Sequence, residues 1–314
     1  MMWIYVLMIV LALVTLGFSL LYARFRRDMK LARRRLQVGG QLVSTRMGPV
    51  EYAEIGSGFP VLVSHGGAGG YDQGLVTAKT YFGEGFRCIA ASRFGHLRTP
   101  LAADSSAMAQ ADAYVALLDE LNIERVAILG TSGGGPSALQ FALRHSDRCS
   151  ALILTAAVSQ YHPPRPLGVY NSDFLYWFVT TYFKSLTLTK IGVTPEVQAK
   201  LKPAEKELLS SLFKTMNPIS LRKEGLFHDV AEWSDRESWK TNYPLGQITA
   251  PTLVIHARDD EVVPISHAQH SVSCIPGAQF IELQQGGHLR LGCLDVIRQG
   301  IGTFLKENVH PLSS

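Results

Sequence analysis

Gly130-Thr131-Ser132-Gly133-Gly134 stands between a β-branched and apolar run, Arg125-Val126-Ala127-Ile128-Leu129, and a helix-forming run, Ser137-Ala138-Leu139-Gln140-Phe141-Ala142-Leu143. Strand, sharp turn and helix together push a serine hydroxyl up at the carboxyl end of a sheet. Glycines two before and two after leave room for the backbone. Ser132 is therefore a candidate nucleophile. With 28 glycines in 314 residues the pattern arises easily by chance, and a helix N-cap serine after a glycine turn reads the same way. Its partners must carry the assignment.

A serine nucleophile needs a base to take its proton and an acid to orient that base. Both follow later in the chain, each after an apolar run. Pro251-Thr252-Leu253-Val254-Ile255-His256 leads into the acidic turn Asp259-Asp260-Glu261, with Asp260 at the strand's carboxyl end. Phe280-Ile281-Glu282-Leu283 leads to Gly286-Gly287-His288, where two glycines allow a tight turn that returns His288 over the sheet edge. The chemistry would be attack on a carbonyl, with an imidazole shuttling the proton. His96, His145, His162, His228, His256, His267, His270 and His310 form no metal-ligand pattern. Cys88, Cys149, Cys274 and Cys293 show no paired spacing. No metal, organic cofactor or disulfide framework is implied.

Placing these residues together requires a sheet. Gln41 to Ile55 alternates as an opening hairpin would; Pro60 to Ser64, Phe86 to Ser92, Arg125 to Leu129, Ala151 to Thr155 and Thr252 to His256 read as short strands separated by helical stretches such as Ser106 to Leu121. That rhythm predicts an α/β fold, a mostly parallel central sheet with helices on both faces. About 90 residues separate the strands at Thr155 and Thr252, far more than a crossover needs. The excess predicts an inserted subdomain, whose run Phe174-Leu175-Tyr176-Trp177-Phe178 with Tyr182 and Phe183 would line a cleft, touch a membrane or pack the insertion's own core.

The order Ser, Asp, His, the nucleophile elbow and the insertion before the acid strand resemble the α/β-hydrolase fold superfamily over about residues 41 to 308. The resemblance implies Ser132 as nucleophile, His288 as general base and then acid, and Asp260 as the residue that fixes the imidazole tautomer, because the family's turn places the acid four residues before a proline, here Pro264. Asp259 and Glu261 are then bystanders, and Ala257 stands where that turn usually has glycine. It implies an oxyanion hole from the N–H groups of Gly133 and, by likeness to the family's His-Gly-Gly segments, Gly67, with Gly66 as fallback. His65 takes a structural place beneath that loop and Ser92 to His96 takes no catalytic role; Asp229 is a minor candidate to reach the cleft from the insertion, outside what the resemblance implies.

Met1 to Tyr22 carries no charged side chain and, as a helix, would extend about 33 Å, enough to cross a bilayer's hydrocarbon core. Trp3, Tyr5 and Tyr22 suit interface positions, and Arg24, Arg26, Arg27, Lys30, Arg33, Arg34 and Arg35 follow. A cleaved secretory signal lacks its basic leading region here. The positive-inside rule puts the N-terminus outside and the remainder in the cytoplasm. This cluster accounts for much of the net charge of +4, so nucleic acid is not an expected partner. The expected organisation is a transmembrane anchor (1–23), a basic juxtamembrane linker (24–40), an α/β core (41–158 and 249–308), a helical lid (159–248) and a tail (309–314).

The substrate expected from this reading is a carboxylic ester with an apolar acyl group. Ser132 in place of an aspartate argues against dehalogenase and epoxide-hydrolase chemistry, and Ala68 in place of proline against a proline aminopeptidase. Carbon–carbon hydrolysis of a dienoate, perhydrolase activity and a catalytically silent, anchored binding domain stay open. Oligomeric state is not legible.

Overall fold

The computed structural model describes residues 1–164 and 166–309; the tail from 310, His310 included, lies outside the described residues. Eight strands form one sheet in the order β1-β2-β4-β3-β5-β6-β7-β8. β1 (Gln41–Thr45) and β2 (Gly48–Ile55) make the opening hairpin, and β2 runs antiparallel to β4 (Phe86–Ala91). β3 (Phe59–Ser64), β4, β5 (Val126–Thr131), β6 (Cys149–Thr155), β7 (Thr252–Ala257) and β8 (Gln279–Leu283) are mutually parallel.

The inner parallel strands β3, β5, β6 and β7 are buried on both faces, so they read as continuous apolar runs rather than alternating ones, whereas the edge strand β8 is only half-buried. Val61, Val63, Leu129 and Ile153 pack toward α2 (Tyr71–Tyr81) and α12 (Leu294–Asn308). Their neighbours Leu62, Ile128 and Leu152 point the other way, toward α3 (Ala107–Glu120), α4 (Gly135–Arg144) and α11 (Ser266–Cys274). β3 lies between β4 and β5, so the chain leaves it in one direction and β5 continues in the other. Loops after β3 and β5 diverge around a crevice at the sheet's carboxyl edge.

Among the described residues between β6 and β7 there are six α-helices, together with short 3-10 turns: α5 (Asp173–Tyr182), α6 (Lys184–Thr189), α7 (Pro195–Lys200), α8 (Pro203–Thr215), α9 (Lys223–Trp233) and α10 (Arg236–Asn242). Before the sheet, α1 (Met2–Gly39) is one unbroken helix. The basic stretch, expected as a linker, is its second half, because no glycine or proline occurs from Phe18 to Val38 and Arg, Lys, Leu and Gln are good helix formers. Its apolar half has an 18-residue window of mean hydropathy 2.6 with none of it buried. Its last turns dock: Met29, Ala32 and Leu36 are buried, and Tyr71 Oη donates to Leu36 O at 3.2 Å.

Candidate active site

Ser132 has φ of 51°, the left-handed conformation that a sharp strand-to-helix elbow imposes on its apex. Its flanking glycines are required by contact. A Cβ on Gly130 would stand 2.7 Å from Ala138 Cβ, and one on Gly134 would stand 2.7 Å from His65 O. Asp260 accepts from His288 Nδ1 at 2.9 Å, so Nδ1 carries the hydrogen and Nε2 is left to accept from Ser132 Oγ, also at 2.9 Å. These three predicted residues, drawn from the ends of β5, β7 and β8, thus form one hydrogen-bonded chain.

The Asp260 carboxyl, fully covered, also accepts Val262 N at 2.8 Å and Val263 N at 2.9 Å, and His256 Nε2 lies 3.3 Å away. Burial alone would raise its pKa; the charge of His288, then hydrogen bonds from both histidines, outweigh burial and hold it well below the usual carboxylate range. Ala257 suffices where glycine was expected, since its φ is not positive. Asp259, read as a bystander, instead accepts Gly286 N at 3.0 Å and Gly287 N at 2.9 Å, stapling the turn that carries His288. Glu261 is exposed.

The register Ser64↔Gly130 sets His65-Gly66-Gly67 beside Thr131-Ser132-Gly133. Gly66 O accepts from His65 Nδ1 at 2.7 Å, Gly69 N at 3.2 Å and Arg93 Nη2 at 3.4 Å. In a trans peptide the N–H lies opposite the carbonyl, so Gly67 N–H is turned toward Gly133. A Cβ on Gly133 would lie 3.1 Å from Gly67 N. His65 Nε2 accepts Arg93 N at 3.0 Å; burial, then the Arg93 charge, push its pKa well below the ordinary value and keep it neutral. It lies beneath the loop as expected.

Arg93, given no part by the sequence reading, donates to His65 O at 3.1 Å and grips both Asp229 oxygens at 2.6 Å. Burial works against the guanidinium charge, and the Asp229 carboxylate outweighs burial. Asp229 therefore reaches the cleft region from α9 but is committed to Arg93. Trp233, at the end of α9, was also missed. A Cβ on Gly133 would collide with its Cζ2, and one on Gly67 would lie 3.4 Å from its Cη2, so the indole edge fills the space between the two glycines. Arg290 donates to His288 O at 2.7 Å and to Tyr81 Oη at 2.9 Å from behind. Of these additions only Asp259 had a sequence signal, its adjacency to Asp260; the others depend on residues far apart in the chain. Among the described residues no His, Cys, Asp and Glu group could hold a metal ion.

The family model for the alpha/beta hydrolase fold matches residues 60–291. An uncharacterized hydrolase of Bacillus subtilis, YcgS, is 30% identical over 77% of this chain and 89% of its own length. A 2-hydroxy-6-oxo-6-phenylhexa-2,4-dienoate hydrolase of Comamonas testosteroni is 27% identical over 76% of this chain and 84% of its own. Among solved structures, an alpha/beta hydrolase fold protein from Nakamurella multipartita superposes with a TM-score of 0.76 at 29% identity, covering 85% of this chain and 99% of that one.

Proposed function

The chain belongs to the α/β-hydrolase fold family, and from that premise we propose that it is a serine hydrolase that works through an acyl-enzyme on a carboxylic ester with an apolar acyl group. The observation that carries the reading is the unbroken hydrogen-bonded chain Ser132–His288–Asp260. As Ser132 Oγ attacks the carbonyl carbon, its proton passes to His288 Nε2, and Asp260 balances the imidazolium that forms. The N–H groups of Gly67 and Gly133 receive the oxyanion. Collapse expels the alcohol, protonated by Nε2; water then gives a proton to Nε2, attacks the acyl carbon, and releases acid and free serine.

Residues 159–248 act as the lid, and Trp233 has to swing aside for a carbonyl to enter the space between Gly67 and Gly133. Residues 1–23 anchor the enzyme, with the hydrolase cytoplasmic. Dienoate cleavage is the second reading, favoured by the Comamonas relative. Against it, a dienoate brings a carboxylate, and the guanidinium of Arg93, lining a cavity of about 10 Å³ beside Gly133, is already neutralised by Asp229.

The test is turnover of p-nitrophenyl esters of increasing acyl length beside a 2-hydroxy-6-oxo-dienoate, with labelling by a fluorophosphonate probe. Ser132→Ala is expected to abolish labelling and to lower ester turnover by a factor on the order of 10⁴ or more. Dienoate turnover exceeding every ester would move the assignment to carbon–carbon hydrolysis. A folded protein that neither turns over ester nor takes the probe would make it a binding domain.

A further inference from the structure

Beyond β1, five large apolar side chains are exposed among the described residues, and four of them, Leu175 (43%), Tyr182 (45%), Phe183 (49%) and Leu186 (56%), fall within twelve positions on α5, on α6 and at the junction between them. A soluble surface does not gather its exposed apolar residues this way without a partner. The patch adjoins α1. Phe25 packs edge-on against Phe174 with ring centroids 5.3 Å apart, and Trp177 Nε1 donates to Asp28 Oδ2 at 3.1 Å. Arg24 Nη1 donates to Tyr182 Oη at 3.1 Å. The lid is therefore bolted to the helix proposed to enter the membrane.

An open groove of about 500 Å³ runs between Gly17, Leu20 and Leu21 of α1 and Phe178, Tyr182 and Phe183 of the lid. Gly17 lies five residues inside Tyr22, the end of the uncharged stretch, or about 7.5 Å along the helix axis at 1.5 Å per residue. If the span ends at Tyr22, the aromatic edge of the lid cannot stay in water. That depth matches the roughly 5–10 Å to which interfacial helices bury their apolar faces. Arg24, Arg26, Arg27 and Lys30 follow on the other side of Tyr22, about 3 to 12 Å beyond it along the helix axis, where anionic headgroups would meet them.

We propose that the α5–α6 face of the lid is a bilayer-docking surface, seated at the headgroup–acyl boundary of an anionic phospholipid membrane, with the α1–lid groove occupied by a lipid acyl chain. The proposal rests on reading residues 1–22 as a span. It gives the lid a fixed contact with the phase in which an apolar ester dissolves, so substrate reaches the site from the membrane side.

The test uses the full chain in phosphatidylcholine–phosphatidylglycerol vesicles with an environment-sensitive fluorophore on single cysteines at Leu186→Cys in the lid, Leu11→Cys in α1 and Glu120→Cys at the end of α3. Glu120 leads toward the start of β5 and so marks the sheet's amino edge, opposite the site. Cys274→Ser and Cys293→Ser form the background; Cys88 and Cys149 are buried, with thiols pushed up by burial to about 12, and stay unlabelled. Doxyl-labelled lipid is expected to quench Leu186→Cys and Leu11→Cys about two-fold or more and Glu120→Cys hardly at all. Leu175→Cys, the other exposed leucine of the proposed surface, must agree with Leu186→Cys. Quenching at Leu11→Cys without either lid position overturns the docking surface while leaving the anchor intact, as a second copy covering the face would. Quenching nowhere removes the anchor and the proposal with it.

Discussion

Asp259 and Asp260 are neighbours of identical chemistry, and their surroundings give them different work. Asp260 is covered and bonded to the His288 ring; Asp259 holds the backbone of the turn that delivers that ring. Asp260→Asn offers Nδ1 an amide that favours the wrong tautomer, and kcat on a short p-nitrophenyl ester should fall on the order of 10⁴-fold. Asp259→Ala leaves two amides of the turn without their acceptor. It should cost about 1–3 kcal/mol in urea unfolding and reduce kcat far less. If the two variants exchanged these effects, the acid would be Asp259. Arg93 and Asp229 form a buried pair, so removing one charge strands the other. Asp229→Ala should destabilise by about 3–5 kcal/mol, read from the same unfolding curves, and should loosen the Gly66–Gly67 peptide that Arg93 braces.

α9 carries most of what the insertion brings to the crevice, and its Glu232 makes that contact pH-dependent. Burial raises the Glu232 carboxyl to about 7, although it accepts a hydrogen bond from Ala107 N at the start of α3. In the window between the ordinary carboxyl value and that raised one, the folded protein holds a proton that the unfolded chain has released, so stability falls as pH rises through it. Glu232→Gln keeps an acceptor for Ala107 and removes the titration. Relative to wild type it should gain on the order of 3 kcal/mol between about pH 5 and pH 8, measured by denaturant midpoints at both values; parallel curves would show that this carboxyl is not buried in solution. Trp233, one residue on, stands between Gly67 and Gly133, where the proposed reaction would place the substrate carbonyl. Trp233→Ala should therefore raise kcat/KM for long acyl esters over butyrate by about ten-fold, and an unchanged ratio would mean that the indole swings clear at no cost.

At the scale of the molecule, α1 is two things in one helix: an uncovered apolar half and a basic half that packs on the fold through Asp28–Trp177, Arg35–Asp72 and Leu36–Tyr71. Removing residues 1–22 should leave the melting temperature nearly unchanged, whereas removing 1–40 should lower it by several degrees, since three buried side chains and these bonds go with it. Equal melting temperatures for the two truncations would show that the docked half contributes nothing. The sequence by itself determined the alternation of strands and helices, the elbow at Ser132, the turn before His288 and the uncharged N-terminal stretch, because each is a local pattern of apolar period, glycine placement or charge that neighbouring residues suffice to specify. Only the tertiary structure decided that Asp259 staples while Asp260 orients, that Arg93 braces the loop after β3, that Trp233 closes the space between Gly67 and Gly133, and that the aromatic face of α5 rests on α1. Those pairings join residues from different strands and from the insertion, and no spacing along the chain records which side chains the packing of the sheet will bring within a hydrogen bond of one another.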